Sequence, residues 1–115
     1  MHINDLDNVN SSLSWKTLTG ASSYDLSNLE WNELLLEASY VVSGTPNHVA
    51  TITASYNKKL SSSSSRWLYA GGEIGSNNGL RAIFIVGTNN SGVNLASFTV
   101  DGQVISGGIF NVYYR

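Results

Sequence analysis

The chain has no cysteine, one proline, few charges and no long apolar run, and each shortage removes a class of function. Without cysteine there is no disulfide framework, no thiolate nucleophile and no sulfur ligand for zinc. Charged residues make up 12% of the 115 positions, about half of the ~25% usual in globular proteins. The six Lys and Arg lie scattered, so there is no basic stripe to hold a phosphate backbone and no nucleic-acid partner is expected. The longest apolar runs, Leu34–Leu36 and Ile83–Val86, stop within four residues, far below the ~18 that a membrane-spanning helix needs; membrane insertion is not expected either. The first seven residues carry Asp5 and Asp7 and no Lys or Arg, which is not the start of a secretory signal peptide.

What is present is short and neutral. Ser (18), Asn (13), Gly (11) and Thr (7) do the solubilising that charges normally do. Low net charge with abundant aromatic and β-branched residues argues for a folded chain, and the length suits one domain. Residues 1–13, with isolated Ile3, Leu6, Val9 and Leu13 among Asn, Asp and Ser, are expected to be a leader joined to something upstream. From Ser14 to Arg115 short apolar or alternating runs recur about every ten residues between turn signals, the pattern of an all-β domain.

Strands are expected at Ser14–Leu18, Glu33–Val42, His48–Tyr56, Arg66–Ala70, Leu80–Val86, Val93–Val100, Gln103–Ser106 and Ile109–Tyr114. Together they give an antiparallel β-sandwich of about eight strands, jelly-roll-like, in residues 14–115. Asp101-Gly102 between Val100 and Gln103 is a two-residue hairpin signal, since a type I′ turn needs positive φ at both central positions. Glu33–Val42 and the residues before it also admit a helical reading, with Leu29, Leu34, Leu35 and Ala38 on one face and Glu33 and Glu37 paired at i, i+4. Alternation through Ser39-Tyr40-Val41-Val42 favours the strand, and the capping-box pattern Ser27-x-x-Glu30 allows a turn of helix before it. Gly71-Gly72-Glu73-Ile74-Gly75 is expected to be a turn, because it lacks the lysine and strand-loop-helix setting of a phosphate cradle.

Catalytic constellations are thin. The only histidines are His2 and His48, neither in a nucleophile-elbow context. Glu33 and Glu37 share one face of a strand but stand roughly 13 Å apart, too far for either glycosidase geometry. Asn4-Asp5-Leu6-Asp7-Asn8 lacks the glycine and bidentate Glu of a calcium loop. No enzyme activity, metal or cofactor is expected.

The aromatic content is the suggestive part: Trp15, Trp31, Trp67, Tyr24, Tyr40, Tyr56, Tyr69, Tyr113 and Tyr114 in a background of Asn, Ser and Gly. Aromatic faces pack on the C–H faces of sugars while Asn, Arg and acidic groups bond the hydroxyls, so the mixture suits carbohydrate recognition; the same rings are also what a β core consumes. Trp67 stands out, with Arg66 beside it and polar loops at 57–66 and 71–79 on either side; a third polar loop lies at 88–92. Trp67 leaves the first loop and Arg81 the second, which suggests a site at one end of the sandwich comprising Trp67, Arg66, Glu73, Asn77, Asn78 and Arg81. Because Trp67 and Tyr69 share a strand face, that face is alternatively the core.

Several phrases carry a family resemblance. Ile3-Asn4-Asp5-Leu6-Asp7-Asn8-Val9 resembles a motif that precedes the distal domains of bacteriophage tail fibres. Trp15-Lys16-Thr17-Leu18, Tyr24-Asp25-Leu26-Ser27 and Asn32-Glu33-Leu34-Leu35-Leu36-Glu37 resemble the opening of small C-terminal β domains in phage tail proteins, and Gly107 to Arg115 ends in the same style. The resemblance implies a receptor-binding domain at the tail tip of a virion, trimeric, touching a bacterial cell-surface glycan. It supplies no ligand-binding residue. The alternatives are a structural trimerisation or decoration module without ligand, and a carbohydrate-binding module of an enzyme.

Overall fold

A computed structural model of the protein describes residues 14–43, 46–60, 63–74 and 78–115; of 72–74 and 78 only the backbone is described. The strands are β1 (Lys16–Leu18), β2 (Ser23–Asp25), β3 (Glu33–Val42), β4 (His48–Asn57), β5 (Arg66–Ile74), β6 (Asn78–Val86), β7 (Gly92–Val100), β8 (Gln103–Val104) and β9 (Ile109–Tyr114). Two antiparallel sheets form a sandwich, one in the order β1-β9-β3-β4 and the other β2-β7-β6-β5, with β8 also on β7. The expected all-β sandwich is therefore the fold. Its winding is more local than a jelly roll's: β3–β4 and β5–β6–β7–β8 pair with their chain neighbours. The leader and the motif at Asn4–Asn8 lie outside the described residues.

Alternation dictates which side of each strand is buried. On β3 the inward row is Leu34, Leu36 and Ala38, and Ala82, Phe84 and Val86 of β6 are buried in the same core. Phe84 and Phe110 join the two sheets with ring centroids 5.7 Å apart, and Tyr24 lies 5.5 Å from Phe110. Tyr24 also donates its hydroxyl proton to the Phe110 carbonyl at 2.9 Å. A second polar stitch lies at the rim, where Tyr56 Oη on β4 donates to Asn90 Oδ1 at 2.5 Å; among the described residues Asn90 is the one buried polar residue. It belongs to the 3₁₀ turn Thr88–Asn90, where Asn89 and Asn90 adopt positive φ, a conformation that Asn tolerates better than most residues.

The long alternating segment is strand over its full expected length, Glu33–Val42. Asp101 and Gly102 have φ of 51° and 80°, the positive pair the Asp-Gly hairpin required, and Val100 pairs with Gln103. Three local expectations are corrected. Ser27–Glu30 makes no helix, because Asp25 Oδ1 accepts from both the Ser27 amide (2.9 Å) and its hydroxyl (2.6 Å), closing a tight turn instead. Ser23–Asp25, unassigned from sequence, is a short strand on β7. Gly71–Ile74 is not a turn; it prolongs β5 and pairs with Asn78–Arg81.

Candidate functional site

The outward face of the β2-β7-β6-β5 sheet carries the aromatic pair singled out above. Trp67 and Tyr69 stand two residues apart on β5, the outermost strand of that sheet, and both point away from the core, with 53% and 71% of their surface exposed. Their rings are 6.3 Å apart and inclined by 31°, so they form one continuous ledge rather than a cage. Across the ladder Trp67 faces Ile85 and Tyr69 faces Ile83, aromatic–β-branched pairs that hold the rings in place.

The ledge leads into a depression of about 540 Å³ lined by Tyr69, Gly71, Arg81, Ile83, Ser97 and Thr99, among others. Its polar wall comes from β7. A register shift opposite Ile83 and Phe84 leaves Ala96 without a partner in the ladder, and such bulges re-aim the side chains that follow them; here Ser97 faces Ile83 and Thr99 faces Arg81. Gly71 has φ of +114°, and a Cβ there would lie 1.9 Å from the Leu80 carbonyl oxygen. Only glycine fits where β5 turns past the depression.

The residues expected at the site are only partly brought together. Trp67 is outside the core, and Arg81 shares its sheet face, four residues further along the ladder at the level of Gly71. Arg66 lies on the opposite face by alternation, opposite Val86; its charge acts on Tyr56, opposing the upward shift that burial imposes on that phenol. The side chains of Glu73, Asn77 and Asn78 lie outside the described residues. The one-end arrangement is also corrected: β5 runs unbroken from Arg66 to Ile74, so Arg66, where the first segment ends, and Ile74, within the second, stand at opposite ends of that strand. Trp67 and Arg81 belong to one face along the strand. Tyr69, Ser97 and Thr99, missing from the expected set, supply its middle and its wall.

Two other polar groupings are present. On the outer face of the other sheet Glu37 Oε1 accepts from Asn111 Nδ2 (3.0 Å) and from Tyr113 Oη (3.3 Å); burial first, and then the Glu37 charge, push the Tyr113 phenol pKa up. At the strand end, Glu33 pairs with Arg115, whose guanidinium lies 4.1 Å over the Trp15 ring, while Lys58 lies 5.0 Å over Trp31. Glu33 and Glu37 thus share the outer face of β3 as expected, each engaged with its own partners. His48 is exposed at the start of β4. Among the described residues no group of three or more His, Cys, Asp or Glu is placed to hold a metal ion.

No family model matches the chain, and neither a curated protein nor a solved structure does. The chemistry of the site must carry the functional reading.

Proposed function

We propose that this domain is the non-enzymatic receptor-binding module of a bacteriophage tail protein, holding a bacterial cell-surface glycan on the ledge formed by Trp67 and Tyr69. The observation that carries the reading is the outward placement of two large rings on an open sheet face. The core of the domain does not use these two neighbouring rings, and contiguous exposed apolar surface bordered by polar groups marks a binding site. The flat faces suit the C–H side of a sugar ring, and Arg81, Ser97 and Thr99 supply hydrogen-bonding groups alongside. The tail-fibre resemblance of the leader and of the strand phrases adds the setting, a virion tail tip.

A single sugar on such a ledge binds weakly, so useful adhesion calls for several copies acting together. A homotrimer supplies them. Support for assembly comes from an apolar patch at one end of the other sheet, where exposed Val41 and Val49 face each other and exposed Ile109 pairs with Ser39 next to them. Light scattering of the full chain tests the trimer; a monomer at high micromolar concentration removes it. The function is tested by glycan-array binding and by adhesion to bacterial cell walls in competition with purified polysaccharide. Retention of full binding by folded Trp67→Ala would place the site elsewhere.

A further inference from the structure

We infer, resting on the glycan reading above, that the ligand is an internal stretch of a linear polysaccharide lying along β5, with successive sugars on Trp67, on Tyr69 and in the depression beside Arg81.

Three features of the face lead there. The first is shape. A site for a terminal sugar is a concavity whose polar groups converge on one ring, whereas here two rings inclined by only 31° make a ledge with neither ring capping the other. The second is continuity. Tyr69 belongs both to the ledge and to the lining of the depression, so three adjacent contact zones follow one another in line. From Trp67 to Gly71 the strand advances roughly 13 Å at ~3.3 Å per residue, a span for a short run of linked sugars rather than for one. The third is openness at the side. Because β5 is the outermost strand of its sheet, no strand among the described residues pairs along its outer side, and a chain can continue past the contact zones.

The chemistry changes along that line in the way a polymer segment requires. Trp67 and Tyr69 offer planar apolar contact over Ile85 and Ile83, while the third zone offers hydroxyls from Ser97 and Thr99 and the Arg81 guanidinium over an Ile83 floor. Arg81 keeps contacts within the protein; with five N–H donors, one guanidinium serves those and a sugar oxygen as well. The stacking zones select planar sugar faces, and the polar zone fixes register and direction.

The experiment is a length series. The polysaccharide captured in the array and cell-wall assays is cut into oligosaccharides of one to six units, and each is titrated into the full chain by calorimetry. Affinity is expected to rise about tenfold or more from one unit to three and then level off, each tenfold step being one decade in Kd. Tyr69→Ala, at an exposed position, should flatten that rise, while Tyr69→Phe keeps it. Trimming the terminal sugars of the intact polymer with an exoglycosidase should leave binding unchanged. A single sugar that binds as well as the trisaccharide, or loss of binding after trimming, overturns the inference and leaves the glycan reading standing. If no glycan and no cell wall is bound by the full chain, the reading fails and the inference fails with it.

Discussion

Trp67→Ala set beside Trp31→Ala separates a binding ring from a packing ring. Trp67 is 53% exposed, with the Tyr69 ring at 6.3 Å and Ile85 across the ladder among its neighbours. A cross-strand pair of this kind contributes about 0.2–1 kcal/mol relative to alanine, so truncation at position 67 should cost about 1 kcal/mol or less. For a two-state domain of this size that is a fall in Tm of roughly 4–8 °C or less. Trp31 is 4% exposed, packed 6.2 Å from the Tyr56 ring within the core, and truncating a buried Trp costs about 3–5 kcal/mol. Against a total stability of about 5–15 kcal/mol, that loss can unfold much of the protein at 37 °C. Thermal melts followed by circular dichroism, run in parallel with cell-wall binding, should show Trp67→Ala folded and unable to bind. They should show Trp31→Ala melting far lower. A Trp67→Ala melt as depressed as that of Trp31→Ala would make position 67 a packing position and remove the ledge from the argument.

Tyr56→Phe leaves the buried Asn90 amide oxygen without its donor, and an unsatisfied buried acceptor costs about 1–3 kcal/mol; urea unfolding should show the unfolding free energy falling by that amount, through a lower midpoint at unchanged slope. Gly71→Ala puts a Cβ 1.9 Å from the Leu80 carbonyl oxygen and 2.8 Å from Ile52 Cδ1 in a positive-φ residue, strain of roughly 1–3 kcal/mol, and hydrogen exchange should speed first in the β5–β6 ladder. Burial holds the Tyr56 and Tyr113 phenols above their ordinary value of 10.0. The fold favours the protonated form, so their contribution is complete below that pH and drains as pH rises through the folded values; denaturant midpoints should hold below about pH 10 and fall above it. Asp25, held below its ordinary value of 3.8 by its two Ser27 hydrogen bonds, works in the opposite sense: its contribution is present above that value and is lost as pH drops beneath it.

How much of this fold is legible in the sequence depends on whether a local pattern decides the matter alone. Glu33–Val42 admits a helix at its Leu-rich start, but Ser39-Tyr40-Val41-Val42 is poor helix text and carries the alternation to its end, so the local pattern favours the strand. Asp101-Gly102 can form its turn with no help from elsewhere. Gly71–Ile74 behaves differently. Glycines are poor strand residues by local preference, and they become strand here because β6 pairs with them through Gly71–Arg81 and Gly72–Leu80, a long ladder that the glycine-rich text does not announce. At Ser27–Glu30 two local signals compete, and the Asp25 carboxylate, two residues upstream, captures the Ser27 groups that a helix cap would have used.

The site is harder to see for a reason rooted in β6. Its inward row is Ala82, Phe84 and Val86, and its outward row contains Ile83 and Ile85, so both faces are apolar and alternation cannot say which is buried. The same ambiguity passes to β5, where Leu68 and Ala70 compete with Trp67 and Tyr69. What resolves it is β7, because Val93 and Phe98 fall inward while Asn94, Ser97 and Thr99 line up with the outward rows of β5 and β6, a match that exists only after the bulge at Ala96 shifts the register. With so few charges in the chain, an outer face is marked by Ser, Thr and Asn rather than by Lys and Glu. A sheet face that sets neutral hydroxyls and amides and the Arg81 guanidinium beside Ile and exposed aromatic rings is well matched to a partner that is itself half apolar and half hydroxyl. That match, more than either ring alone, is what the proposal of a sugar polymer on this face rests on.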